Sequence, residues 1–377
     1  MPGIYIHIPF CRQACHYCNF HFSTSLSQKE KMVEAMLKEI RRTDLYPSLQ
    51  GEEKISTLYF GGGTPSILSA DDLKRIIQAL QERFVFTPDI EITLEANPDD
   101  INDGKLAQWR SLGINRLSVG IQSFQDEELK WMNRVHNAAE SLSCIDKIRD
   151  AGFSNFSADL IYGSPVLSDD DWKKNMDILI NRNIPHISCY ALTVEPRTAL
   201  DKMIALQKKE PVDADKQARH FRMLLDAMEQ AGYEHYEISN FAKPGFRSKH
   251  NSSYWSGATY YGFGPAAHSF DGNKRRWNIS NNALYIQSVE KGVIPFEEET
   301  LTEIQQLNEY IMTSLRTREG LDLAHVSKVF GEEKSNTLKA AGNKHESSGK
   351  LTMENNRLIL TNDGKFFADG IAADLFF

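Results

Sequence analysis

The sequence predicts an α/β protein: a partial (β/α)6 barrel followed by a small C-terminal α+β module of winged-helix-like type. Two observations predict it. Strand-like and helix-like segments alternate with a period of roughly 30–40 residues up to about residue 240. Beyond about residue 292 the texture changes to a helix, a hairpin and a helix. A repeated strand–helix unit implies a parallel sheet with right-handed crossovers. Six or seven units fit before residue 240, too few for a complete eight-fold barrel. An open doubly wound sheet is the alternative. In either arrangement ligands bind at the carboxyl ends of the strands. The expected division is 1–291 and 292–377.

Strands are expected at 4–8, 55–60, 91–95, 115–121, 156–162, 186–192 and 233–238. Ile55-Ser-Thr-Leu-Tyr-Phe60 and Glu91-Ile-Thr-Leu-Glu95 are typical, short and rich in β-branched or aromatic residues. Amphipathic stretches lie between them, at Ser27 to Arg42, Ala70 to Arg83, Asn102 to Leu112, Asp169 to Asn181 and Asp213 to Ala231. Ser69 with Asp72 forms a capping-box-like start, and the Ala-Gly pairs at 151–152 and 231–232 mark helix stops. In the last part, Leu301 to Arg318 reads as one helix with Leu307, Ile311 and Leu315 on one face. Lys339 to Lys350 reads as a polar loop. Leu351-Thr-Met and Arg357-Leu-Ile-Leu360 flank Glu354-Asn-Asn as a hairpin, and Thr361 to Leu375 reads as a helix.

Composition excludes several classes. Hydrophobic content of 41% and charged content of 25% are ordinary for a globular protein. A net charge of −8 argues against a nucleic-acid partner, which needs clustered Lys and Arg. The run Lys274-Arg275-Arg276 reads as a solvated loop. No apolar stretch is long enough to span a membrane, and no signal peptide is evident. Of the five cysteines, Cys144 falls in a helical pattern and Cys189 in a strand-like run, so both are expected as small buried hydrophobes. Such usage suits a reducing cytoplasm.

The other three cysteines carry the chemistry. Cys11, Cys15 and Cys18 are spaced C-x3-C-x2-C. Three thiolates on one tight loop can ligate three irons of a cubane [4Fe–4S] cluster, leaving the fourth iron open to a small molecule. Clusters that only pass electrons use four cysteines. The alternative is a zinc site, with His16 or His21 as fourth ligand. Gly61-Gly62-Gly63-Thr64-Pro65 follows the second strand, where absent Cβ atoms let a ligand approach the backbone. Glu95 ends the third strand, where a carboxylate can grip ribose hydroxyls. Gln122, Arg134 and Asp159 follow in turn, Arg134 offering a fork to a carboxylate. Farther on, His250-Asn-Ser-Ser-Tyr-Trp255 sets a histidine beside two flat aromatic faces, and Tyr260-Tyr-Gly-Phe-Gly-Pro-Ala-Ala-His268 brings a second histidine. Histidine is a natural axial ligand to heme iron, although such a string is also what an aromatic core cluster looks like.

Tyr5 to Cys18, followed by Asn19-Phe20, resembles the cluster loop of radical S-adenosylmethionine (SAM) proteins. Within them it resembles the oxygen-independent coproporphyrinogen oxidase family, especially its HemW branch of heme chaperones. The oxidases carry a further cysteine two positions after the third, where this chain has Phe20. They also carry a longer extension ahead of the loop, and only four residues precede Tyr5 here. The resemblance implies a partial barrel holding a [4Fe–4S] cluster on Cys11, Cys15 and Cys18. It implies SAM bound by Tyr5, Tyr17, Gly62, Gly63, Thr64, Glu95, Gln122, Arg134, Asp159 and Ala191. It further implies heme at His250, Asn251, Tyr254 and Trp255, with His250 the first ligand candidate. The function it implies is a heme chaperone of the cytoplasm, peripheral at the membrane. Heme would pass to acceptor proteins, membrane respiratory proteins among them, and a flavodoxin or ferredoxin would supply electrons. The alternative is the oxidase itself, which converts coproporphyrinogen III to protoporphyrinogen IX by SAM-radical decarboxylation. A third class is a radical SAM enzyme with another substrate.

Overall fold

The computed structural model describes residues 2–42 and 54–377. Twelve strands form one sheet, in the order β12-β11-β10-β9-β1-β2-β3-β4-β5-β6-β8-β7. Its middle is the predicted repeat. The strands β1 (Gly3–Ile8), β2 (Ile55–Gly62), β3 (Phe86–Ala96), β4 (Arg116–Gln122), β5 (Phe156–Tyr162) and β6 (His186–Ala191) pair in parallel. Helices α1 (Lys29–Ile40), α2 (Ala70–Arg83), α3 (Asp103–Ser111), α4 (Asp126–Trp131), α5 (Ala138–Asp150) and α6 (Asp169–Asn181) intervene, with α7 (Ala199–Ala205) and α8 (Ala214–Gln230) after β6. Their starts follow local chemistry. Ser69 with Asp72 and Asn137 with Glu140 form reciprocal capping boxes at α2 and α5.

The sheet is open. Six parallel units are present, and the strand predicted at 233–238 does not continue the repeat. It is β7 (Glu234–Glu237), antiparallel to β8 (Asn240–Ala242), which is antiparallel to β6. After α9 (Lys249–Trp255) the chain returns to the far side. There β9 (Tyr260–Phe263) pairs in parallel with β1, and β10 (His268–Phe270), β11 (Lys274–Asn278) and β12 (Phe296–Thr300) follow antiparallel, with α10 (Asn282–Glu290) inserted. The Lys274-Arg275-Arg276 run is therefore a strand and not a solvated loop. Its charges are met by Glu298, Glu299 and Glu309.

Alternation along the strands assigns the two faces. Ile4, Ile6, Leu58, Phe60, Leu94, Leu117, Ala158, Leu160 and Ile187 are fully buried on the helix-covered side. The intervening positions, among them Tyr5, Tyr59, Glu95, Ser118, Asp159 and Ser188, turn to the concave side, one from each parallel strand. Cys144 and Cys189 are buried, as expected.

Core residues fall in two main groups, one between Ile4 and Ile294 and one between Leu307 and Leu375. The second is built from α11 (Glu303–Leu315), β13 (Leu321–Asp322), α12 (Leu323–Phe330), α13 (Glu332–Ser347), β14 (Leu351–Glu354), β15 (Arg357–Leu360) and α14 (Ala368–Asp374). The hairpin forms as read, with Asn355 and Asn356 at φ 48° and 62° in its two-residue turn. The polar stretch 339–350 is a helix for most of its length, since α13 reaches Ser347. Ser335, Leu338, Gly342 and His345 are its buried positions. Helix α11 reaches across the opening of the sheet. Its Glu309 pairs with Arg275 of β11, while Arg316 and Thr317, just past its end, meet Glu237 of β7.

Candidate functional site

The carboxyl ends of the parallel strands open into a cavity of about 450 Å³. Its wall includes Cys11, Cys15, Tyr17, Cys18, Gly62, Gly63, Thr64, Glu95, Gln122, Arg134, Asp159 and Ala191. Sequence reasoning had named every one of them. Tyr5 lies one layer behind, stacked on Tyr59 at 6.1 Å between centroids. The cysteine loop leaves β1 and folds over one side of the mouth. Asn133 donates to the Ala14 carbonyl, Gln13 donates to the Asn133 carbonyl, and the His16 amide reaches the Met132 carbonyl. The loop is thus tied to the segment that bears Arg134.

The three thiols sit half-buried around this mouth. The Thr64 hydroxyl and the Arg134 guanidinium each approach one sulfur, those of Cys11 and Cys15, at 3.4 Å. Burial pushes the Cys11 thiol up to about 12 and raises Cys18 as well, so metal binding has to displace those protons. Among the described residues no three His, Cys, Asp or Glu side chains converge on one ion position. His16 and His21 are turned away. The Nδ1 of His16 bonds the Trp131 carbonyl, and the Nε2 of His21 bonds Asn282.

The inner walls have the chemistry of a polar ligand's seat. The glycine run is a cradle: a Cβ on Gly63 would meet the Phe10 carbonyl oxygen at 2.5 Å, and one on Gly62, at φ +106°, would meet the His7 ring at 2.7 Å. Glu95 accepts a 2.7 Å bond from the Tyr59 hydroxyl, and burial, with the neighbouring Asp159 charge, lifts its carboxyl to about 7. Asp159 accepts from Ser118 through one oxygen, while its other oxygen is buried without a partner. Burial raises its carboxyl as well. Gln122 has φ 66° where the β4–β5 register shifts, a bulge that re-aims its side chain toward the cavity. Arg134 donates to Asn97 at 2.8 Å and to the Gly120 carbonyl at 2.7 Å, and its Nε is buried without a partner. Unpaired buried groups of both signs facing one cavity suit a zwitterion with hydroxyls, which is the chemistry of SAM.

The H-N-x-x-Y-W segment is placed differently. It forms α9, and of its residues only Asn251 reaches the cavity wall. His250 is buried, with Nδ1 2.8 Å from the Thr57 hydroxyl and Nε2 2.8 Å from the Tyr254 hydroxyl. Its ring stacks on Tyr59 at 4.9 Å, and burial, with the Arg116 charge, holds it neutral, down to about 3. Trp255 lies under the Arg316 guanidinium. Sequence reasoning missed Tyr59, Asn97, Ser118 and Tyr190, which also line the cavity. Strand alternation carried through β2 would have flagged Tyr59, which shares a face with Gly61.

Two family models match this chain. The radical SAM superfamily covers residues 5–179, and the HemN C-terminal domain covers residues 301–367. The heme chaperone HemW of Mycobacterium tuberculosis is 31% identical, over 99% of this chain and 94% of that protein. The HemW of Bacillus subtilis is also 31% identical, over 98% of each chain. The chain belongs to the HemW family of radical SAM proteins. Its fold is shared with Escherichia coli coproporphyrinogen III oxidase (HemN), described as a radical SAM enzyme. That likeness has a TM-score of 0.84 at 22% identity and covers 100% of this chain and 90% of the other. The two family matches span the cysteine loop and the appended helical module. No helix among the described residues is long and apolar enough to cross a membrane.

Proposed function

We propose that the protein is a heme chaperone. It holds a [4Fe–4S] cluster on Cys11, Cys15 and Cys18, binds SAM in the cavity, and carries heme to acceptor proteins, membrane respiratory proteins among them. The observation that supports it best is the near-full-length likeness to HemW proteins in a chain that has Phe20, 65% exposed, where the oxidases have a further cysteine. The cytoplasm is the proposed location, and a flavodoxin or ferredoxin the proposed electron donor.

The chain's own residues define the tasks. Glu95 and Asp159 offer carboxylate oxygens for ribose hydroxyls, Arg134 offers its guanidinium to a carboxylate, and backbone at Gly62 and Gly63 would meet the amino group. A cluster held by Cys11, Cys15 and Cys18 would supply one-electron chemistry to SAM bound in the cavity. Tyr17, Ile161 and Leu192 give the cavity an apolar stretch of wall.

One sample tests the reading. Anaerobically reconstituted protein is titrated with heme and assayed with coproporphyrinogen III. Stoichiometric heme uptake with no porphyrin conversion is expected. Robust formation of protoporphyrinogen IX would replace the chaperone with the oxidase.

A further inference from the structure

A heme ligand needs an imidazole nitrogen with a free lone pair, and His250 offers none, because both its nitrogens are engaged inside the fold. His268 is an open histidine beside the aromatic motif. It begins β10, its side chain is exposed, and its ring nitrogens form no hydrogen bond or ion pair among the described residues. Its ring lies against Trp277, the partner residue across the β10–β11 pair, with centroids 6.2 Å apart and planes 27° apart.

We propose that His268 is the axial ligand to the iron of a heme resting on the open face of β10 and β11, with Trp277 and Phe270 supporting the macrocycle. The inference rests on the heme-chaperone reading above and assigns its ligand.

The face joins an aromatic strip to a rim of charged groups, as an amphipathic flat ligand requires. Ser269 and Arg276 bury to one side of the pair, so His268, Phe270, Arg275 and Trp277 share the other. An aromatic strip runs into this face from the H-N-x-x-Y-W helix. Tyr254 meets Tyr260 edge-on at 4.7 Å, and Tyr260 lies 6.3 Å from Phe270, two residues from His268 on the same strand. The motif and His268 therefore belong to one surface, with Tyr254 reaching it where His250 does not. Partial burial and the Arg275 charge lower the His268 pKa, which keeps the ring neutral and able to coordinate at pH 7.

Other occupants fit less well. Both β10 and β11 are bonded on each side, so a peptide strand finds no free ladder. Glu297 and Glu299 lie on the same face and disfavour a phosphate backbone. Those carboxylates would turn the propionates of a bound heme away from β12. Arg275, which pairs with Glu299 and Glu309, is the cation of this face.

The full chain, reconstituted anaerobically, is titrated with hemin and separately with metal-free protoporphyrin IX. Wild type should take one hemin with an imidazole-ligated Soret spectrum. His268→Ala should lose that spectrum and bind hemin about tenfold or more weakly. Free imidazole should restore the spectrum, which a merely structural role would not allow. Metal-free porphyrin should bind His268→Ala as it binds wild type, yet bind Trp277→Ala more weakly. His268→Met, which keeps a side chain and a soft ligand, should shift the spectrum and guards against misfolding of the alanine variant. Wild-type spectrum and hemin affinity in His268→Ala would overturn the ligand assignment and leave the chaperone reading standing. Wild type that takes no hemin would overturn both.

Discussion

Replacing Glu95 with glutamine should make the protein more stable and worse at binding SAM. The folded carboxyl stays protonated up to about 7, while in the unfolded chain it ionises near 4.5. Between those values the unfolded state binds fewer protons than the folded one. Stability therefore falls as pH rises from about 4.5 and levels off above about 7. The rise from 4.5 to about 7 corresponds to about 3 kcal/mol, and solvent in the cavity reduces this to about 2 kcal/mol. Glutamine keeps the acceptor for the Tyr59 hydroxyl and carries no charge. The cluster-free variant should match wild type near pH 4.5 and exceed it by about 2 kcal/mol at pH 8. Asp159, also raised by burial, leaves a residual slope in both proteins. On cluster-loaded protein the lost ribose bond should weaken SAM by about ten- to a hundredfold, or roughly 1–3 kcal/mol. Denaturant unfolding at pH 5 and pH 8 measures the first effect, and calorimetry with SAM measures the second. Unchanged SAM affinity would remove Glu95 from the site. A variant with the wild-type pH slope would show that the carboxyl is not held protonated by burial.

Three further outcomes follow from the same structure. Iron and sulfide analysis should find about four of each per wild-type chain, and Cys15→Ala should lose both along with the visible absorption. Gln122→Gly should relieve the backbone at φ 66° and gain about 1 kcal/mol in denaturant unfolding, while calorimetry shows weaker SAM binding. In the terminal hairpin, Asn356→Val should cost about 1–2 kcal/mol because a β-branched residue resists φ 62°, and Asn356→Gly should hold or raise the melting temperature.

The site was legible in the sequence wherever a residue's place follows from the strand that carries it. Glu95, Gln122 and Asp159 stand at or near the ends of apolar runs, and a parallel sheet sends such positions to one rim. Cysteine spacing is equally local, since three thiols within eight residues cannot lie far apart. Orientation was not legible. His250 and Tyr254 are four apart on a helix, so they face each other and satisfy each other, which the string of letters does not reveal. Strands β10 to β12 were hidden for a different reason: charged edge strands such as Phe296-Glu-Glu-Glu-Thr300 look like loops until a basic partner strand is known. The misread stretch 339–350 shows the converse. Helix α13 is polar because most of it faces water, and its Asn343-Lys-His-Glu-Ser-Ser sequence hides the few buried positions that hold it.

Helix α11 gives the sheet a property that a closed barrel lacks. Where strands complete a ring, every change of circumference must break backbone hydrogen bonds. Here the ring is split between β12 and β7, and the far ends are clasped through α11 and the residues just past it: the Glu309–Arg275 ion pair on one side, and on the other the Arg316–Glu237 pair together with backbone bonds from Ile238 to the Arg316 carbonyl and from Arg318 to the Tyr236 carbonyl. On the β11 side the clasp is a partly exposed ion pair worth about 1 kcal/mol or less, so that side parts easily, whereas the β7 side, with buried Glu237 and its backbone bonds, stays fixed. The clasp belongs to the same module that carries the HemN C-terminal match. That module therefore acts as a fastener, setting the gauge of a vessel whose wall is made entirely of other parts of the chain.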